Sequence, residues 1–453
     1  MVKGSLTVLG DCKMEVLQLT NLLLFPKEDT PMKKVLFTTF TLFLTACMLL
    51  TSLSGCAVTV KAAELSKDYI RSVDEEGEIT EAFIAAMADF SMALTNTTVK
   101  QAKEATANHL VSPLSAMICL SMLANGAKGE TLTQMEAVLG MKIEDLNRAL
   151  YAYTEGLYVG DDCKISLADS IWYRDGGSFS VREEFLQTCA DWYEAQQYAA
   201  PFDESTRKDI NNWVKKYTDG MIDTMLDEPI PADTVMYVVN ALVFDAKWHV
   251  EYEKKQIAER TFTSLSGKET VVDMMHSEEP IYLTTEGGCG FSKPYKGRGY
   301  SFVGLLPDEG VNVYDFAATL DGEAWVTMMQ TRDAAGTVHV RIPEFTYGNS
   351  MALKPVLQEM GMSLLFDTSA CDLSGIGSSA KGNLYCDGVY QKTYIEVNRH
   401  GTKAAAITWG DNRDKASAPS ENRYVYLDRP FVYAIVDNDT GLPLFMGIVT
   451  ELS

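Results

Sequence analysis

The stretch 398-NRHGTKAAAITWGDNRDKASAPS-420 decides how this chain reads. It lies between two strand-like runs near the C-terminal end, where an exposed polar loop is expected. Yet Gly401 is followed by Thr402, Lys403, Ala404, Ala405 and Ala406, all small except one lysine. Laid out as a strand, these side chains alternate faces. Thr402, Ala404, Ala406 and Thr408 fall on one face; Lys403, Ala405 and Ile407 fall on the other. The first set is small enough to slip between existing strands without displacing a core, and Gly401 supplies a permissive hinge where the chain turns in. The stretch reads as a loop built to become a strand.

Around it is enough chain for a large core. The 453 residues are 46% hydrophobic and 10% aromatic, enough for one large domain or for two or three ordinary ones. The 62 acidic against 39 basic residues give a formal charge of −23, which favours solubility and repels phosphate backbones, so no nucleic-acid partner is expected. Met32-Lys33-Lys34 followed by VLFTTFTLFLTACMLLTSLSGC has the basic and then apolar layout of a secretory signal. Leu53-Ser54-Gly55-Cys56 resembles a bacterial lipobox, in which Cys56 is the lipidated first residue of the mature chain. Leu44-Thr45-Ala46-Cys47 also fits, but leaves an apolar run beyond the cut. This layout implies an extracytoplasmic protein, anchored to the membrane by lipid or secreted. Residues 1–56 are then an upstream extension and signal, and the acidic stretch 57–79 is a tether.

Beyond residue 80 there is no Pro/Gly/Ser-rich linker, low-complexity tract or internal repeat, so 80–453 reads as one domain. EAFIAAMADFSMAL (81–94) has apolar residues at helical spacing, and Ser112-Pro113 opens a second helix that Gly126 closes. ETLTQMEAVLG, VREEFLQTCADWY and STRKDINNWVKKY read as further helices. Later come strand-like runs over 234–244, 301–307, 337–345, 390–397, 423–428, 431–437 and 442–450. Helices first and strands later make an α+β pattern with a large sheet. Six cysteines outside the targeting segment (Cys119, Cys163, Cys189, Cys289, Cys371 and Cys386) are scattered without a CxxC pair and read mostly as small buried hydrophobes.

The chain carries no recognisable catalytic constellation. Five histidines include no HExxH spacing, and there is no GxSxG elbow, Walker A loop or intact GxGxxG. The SxxK matches at Ser205–Lys208 and Ser378–Lys381 lack any KTG or SDN companion. Neither an enzyme activity nor a cofactor is expected.

With these residues in hand, Gly401–Ala406 resembles the hinge of the reactive-centre loop of inhibitory serpins. Asn108-His109-Leu110-Val111-Ser112-Pro113-Leu114-Ser115 resembles that family's NxxxSPxS signature. Asn240–Trp248 resembles its N-x-x-x-F-x-x-x-W segment, with Trp248 below the point of loop entry. Leu306–Gly310, Asp372–Gly375, Arg429-Pro430-Phe431 and Pro443–Gly447 follow in family order. The resemblance implies an α+β serpin fold with N-terminal helices, a large central mixed sheet, two smaller sheets and an exposed reactive-centre loop over about 399–422. It also implies a monomeric inhibitor of serine proteases that is itself a substrate. The protease cuts the loop and is held as an acyl-enzyme while the freed strand enters the sheet.

Three departures follow from the same comparison. Arg399 stands where the family usually has Glu, and Glu344 where it often has Lys, so a sign-swapped ion pair is expected. Gln391 replaces a usual histidine beside Ser112, Ser115 and Asn240, so strand opening is expected not to titrate near neutral pH. Counting fourteen residues from Gly401 puts the scissile bond at Lys415–Ala416, suited to trypsin-like enzymes, but the span to Pro430 is longer than usual in the family. Arg413 keeps that class, whereas Ala416 or Ala418 suits elastase- or subtilisin-like enzymes. A non-inhibitory serpin acting as a surface binding protein is the other reading.

Overall fold

Thirteen of the fourteen residues in the helix Pro113–Gly126 are buried, which is what a segment apolar on every side requires. Its start is fixed locally: the Ser112 side chain accepts from Ser115 N–H, and Pro113 occupies the first turn. The computed structural model describes residues 59–452, apart from 74–76, 106, 176–178, 233, 332–336, 381 and 403–421. Ala404, Ala405, Ala406, Arg413, Lys415, Ala416, Ala418 and Cys56 therefore lie outside the described residues.

Six helices dominate the first half: α1 (Glu81–Ala105), α2 (Pro113–Gly126), α3 (Gly129–Leu139), α4 (Ile143–Gly156), α5 (Glu183–Tyr193) and α6 (Glu204–Tyr217). The main sheet has seven strands. They are β1 (Ala63–Glu64), β2 (Cys163–Arg174), β3 (Gln196–Ala200), β4 (Met236–Lys247), β5 (Phe345–Ala352), β6 (Tyr390–Asn398) and β7 (Gly401–Thr402). Their spatial order is β1-β3-β2-β4-β7-β6-β5. A six-stranded sheet runs His109–Val111, Pro443–Val449, Phe431–Asp437, Tyr300–Pro307, Gly288–Pro294 and Ile281–Thr285. A four-stranded sheet and a two-stranded pair complete the α+β architecture.

The main sheet separates two apolar layers. Ile171, Tyr173, Phe244 and Ala246 join the large core with α2, while Trp172, Val239 and Ala241 pack with Ile210, Trp213 and Val214 of α6. Each large side chain removed from water contributes roughly 1.5–3 kcal/mol.

Two departures from the sequence reading bear on the main sheet. β2 and β3 belong to the helix-rich half, so helices and strands intermix. Lys164, Ser166 and Asp169 dilute the apolar signal of β2. Residues 59–73, expected within a free tether, are instead packed on the domain. Ala63 and Glu64 pair antiparallel with Ala199 and Tyr198 of β3. Asp209 Oδ2 accepts from Lys61 N–H (3.0 Å) and Ala62 N–H (2.9 Å), and Asp191 Oδ1 accepts from Ser72 N–H at 2.7 Å. Asp209 is buried, and removing its acceptor costs about 1–3 kcal/mol by leaving amides unsatisfied. Asp209→Ala should lower the thermal midpoint and expose 59–73 to limited proteolysis; an unchanged midpoint and cleavage pattern would show the strap contributes nothing.

Candidate functional site: the entrance to the main sheet

Two residues govern the upper end of the main sheet. Gly401 pairs with Lys247 of β4 and Asn398 of β6, and Thr402 pairs with Ala246 and Val397, antiparallel on both sides. A Cβ on Gly401 would stand 2.1 Å from Ala246 O and 2.7 Å from Lys247 Cα, both backbone atoms. Only glycine lets the chain enter this close. Thr402 is buried, and its hydroxyl lies 2.6 Å from the Tyr295 hydroxyl. Tyr295 stacks on Trp248 with centroids 4.7 Å apart.

Trp248 holds the turn from inside. Its Nε1–H donates to Asn398 O (2.8 Å) and its backbone N–H to His400 O (2.9 Å). Lys293, paired at 2.8 Å with buried Glu279, packs over the Trp248 and Tyr252 rings. On the outside, the expected sign-swapped pair is in contact: Arg399 Nε donates to Glu344 Oε1 at 3.0 Å, and Arg399 N–H reaches the same oxygen at 3.1 Å. His400 Nδ1 lies 2.7 Å from Glu251 Oε2.

Beneath Thr402, no ladder joins β4 to β6 among the described residues. The space is narrow: a cavity of about 20 Å³ lies under Thr402 between Leu242 and Phe244 on one side and Tyr394 and Ile395 on the other. Lys392 of β6 bonds to Asp227 (2.8 Å) and Thr224 O (2.9 Å), tying this strand to the segment that follows α6.

Farther down, a polar cluster joins the two sides of the gap to the start of α2. Gln391 Nε2 donates to Ser112 O at 2.8 Å, and Ser112 N–H donates to Gln391 Oε1 at 2.9 Å. Ser112 Oγ donates to Leu444 O (2.8 Å), and Ser115 Oγ bonds to Asn240 Oδ1. The structure therefore brings Ser112, Ser115, Asn240 and Gln391 together, with Trp248, Glu344 and Arg399 grouped around the hinge above.

One member was not foreseen. Asn240 Nδ2 donates at 2.8 Å to Oδ1 of Asp169 on β2, and burial pushes that carboxyl up from 3.8 to about 7. The cluster thus keeps a group titrating near neutrality although Gln391 replaces a histidine, which removes the ground for expecting no pH response. A signal existed in the sequence: Cys163, Ile165, Leu167, Ile171 and Tyr173 alternate along β2, and Asp169 occupies an apolar position of that alternation.

Comparison with known proteins agrees with this geometry. A family model described as Serpin (serine protease inhibitor) matches residues 85–452. Ipis-1 of Ixodes persulcatus is 30% identical over 80% of this chain and 97% of its own length. The crystal structure of tengpin, a thermophilic serpin, in its native state is 41% identical, with a TM-score of 0.81, over 87% of this chain and 100% of tengpin. Tengpin in its latent state superposes with a TM-score of 0.74 at 40% identity, over 84% of this chain and 100% of that one.

Gly401→Ala should unseat β7, because the clashing atoms are backbone and must shift. Loss of amide-exchange protection at Thr402 would report it, and unchanged protection would refute the close-approach argument. A separate expectation concerns Asp169. Its folded pKa is raised, so its stabilising contribution is full below about 3.8 and is lost as pH rises through about 7. Asp169→Asn should flatten that fall in the thermal midpoint; an identical profile in the variant would locate the titration elsewhere.

Proposed function

The chain belongs to the serpin family, and from that premise we propose that it traps extracellular serine proteases as a single-use suicide substrate. The observation that carries this is the seated pair Gly401–Thr402, already a strand between β4 and β6 with small residues following it. Continued in the same register, an inserted strand would bring residue 408 opposite both Asn240 and Gln391, six positions below Ala246 and Val397. The face carrying Thr402, Ala404, Ala406 and Thr408 would then point at the core and the polar cluster. That face is the small one, so insertion needs little repacking.

Each new backbone hydrogen bond contributes about 0.5–1.5 kcal/mol net, and roughly a dozen of them with the accompanying burial reach the order of 10 kcal/mol. A difference that size drives an essentially complete shift. The loop-out fold is then maintained by a barrier rather than by equilibrium. Cleavage lifts the barrier by freeing one end of the loop, and the acylated protease is carried with the moving strand before it can deacylate.

For the bond itself we favour Lys415–Ala416 and trypsin-like targets, with Arg413 as the basic alternative and Ala416 or Ala418 as sites for elastase- or subtilisin-like enzymes. The signal and lipobox around Cys56 support a lipid anchor outside the cell membrane. No cofactor enters the mechanism.

Incubation with trypsin, an elastase and a subtilisin, read by denaturing gel and intact mass, tests the reading. A stable protein–protease adduct with a released peptide starting at Ala416 is expected with trypsin. Thr402→Arg, which forces a long charged side chain into a buried position, should leave cleavage intact while abolishing the adduct. Clean cleavage of the unsubstituted chain without any adduct would mean that the protein is a non-inhibitory surface binding protein.

A further inference from the structure

A second site lies beside the polar cluster, on the opposite edge of β2 from β4. β3 pairs with β2 only from Ser170 to Arg174, so the edge from Ile165 to Asp169 has no strand partner on that side among the described residues. In its place is a cavity of about 300 Å³ between that edge, α4, α5 and α6. That volume is at the lower end of small-molecule sites.

Three features give the cavity a chemical character. Its walls are aromatic: Tyr151, Trp192, Tyr193, Trp213 and Tyr217 all line it. Its lining contains three carboxylates, Glu155, Asp169 and Glu194, and no basic side chain. Asp169 is 6% exposed, and Asn240 is its one side-chain hydrogen-bond partner among the described residues, through Oδ1. A carboxylate buried without a positive partner is costly, and a cation placed against its second oxygen removes that cost. The protein demonstrates the preference at one wall: Arg71 of the N-terminal strap holds its guanidinium 3.3 Å from the Tyr151 ring centroid and 5.7 Å from that of Trp192.

We propose that this cavity binds a small organic cation, an amine carried on an aromatic body, with Asp169 as its counter-ion and the ring walls enclosing the rest. Because Asp169 also accepts from Asn240, which bonds Ser115 at the start of α2, the ligand acts on the same side chains that face the gap in the sheet. Occupancy and strand insertion are therefore coupled through one carboxylate.

Binding is measured on the free protein, with no protease present. Tyramine is the probe and 4-ethylphenol its uncharged counterpart, each titrated into the full chain by calorimetry and tryptophan fluorescence. Saturable tyramine binding is expected, with 4-ethylphenol weaker by roughly tenfold or more. Asp169→Asn should abolish the difference between the two, and Arg71→Ala, which frees the Tyr151 and Trp192 rings, should tighten tyramine.

A pH series on the unsubstituted chain serves even if Asp169→Asn does not fold. The ionisable groups facing Asp169 are the thiols of Cys119 on α2 and Cys189 on α5 and the phenol of Tyr193, all raised by burial and so neutral here. Glu155 and Glu194 stand at the mouth. Tyramine affinity should fall as pH drops through about 7, where Asp169 takes up its proton. Equal affinity for the two probes, no binding of tyramine, or tyramine binding that is flat across that range would each overturn the assignment.

Discussion

The rest of this molecule depends on a sheet in which one inner strand is only two residues long. β4 and β6 share Gly401 and Thr402 between them, and below that point their facing edges share no ladder among the described residues. Backbone amides and carbonyls in a protein interior are nearly always paired, so these two facing edges are where an added strand would find partners. Gly401 lets the chain enter between them at the top, because a Cβ there would strike Ala246 O. Trp248 and Tyr295 support the seated pair from below, and Glu344 anchors Arg399 from outside.

The polar cluster is best understood as a brace across that opening. Asn240 on β4 and Gln391 on β6 do not touch through a strand ladder; they meet through Ser112 and Ser115 at the start of α2. The N-terminus of a helix offers amides that need partners, so one buried helix end can bind both sides of the gap at once. Asp169 extends the brace to β2, at the cost of a carboxyl that burial pushes towards neutrality. The strap over 59–73 acts farther out, adding β1 to the edge of the same sheet.

Much of this was legible from residue order. Ser112-Pro113 announced α2, and the strand-like runs announced β4, β6 and three strands of the six-stranded sheet, Tyr300–Pro307, Phe431–Asp437 and Pro443–Val449. The hinge was readable because its composition contradicts its context: small residues where a loop should be polar. Glu344 and Arg399 were readable as a pair only because each departs from the family pattern in compensating directions. Other features had no local signal strong enough. β2 mixes polar and apolar residues, with Lys164 and Ser166 interrupting its apolar run, and Lys61 and Ala62 are fixed through backbone amides, which no side-chain pattern reveals. Asp169 was visible as a break in alternation, but a single break gains meaning only when Asn240 is known to lie opposite.

On the proposed mechanism the composition of the hinge answers to two structures at once, and this narrows the choice of residue more than either would alone. An exposed loop tolerates almost any polar side chain; a strand entering a packed sheet tolerates almost none of them. Thr402 shows how the two demands meet. Its methyl group suits the apolar layer beneath the sheet, and its hydroxyl finds Tyr295 once buried, so no polar atom is left unsatisfied. Alanine meets the same demands by carrying nothing to satisfy. A lysine is acceptable only where the alternation turns it to the outer face, and Lys403 falls on that side. On the proposed mechanism, a face of small residues only, with the lysine on the other face, is the signature of a segment that must suit both states.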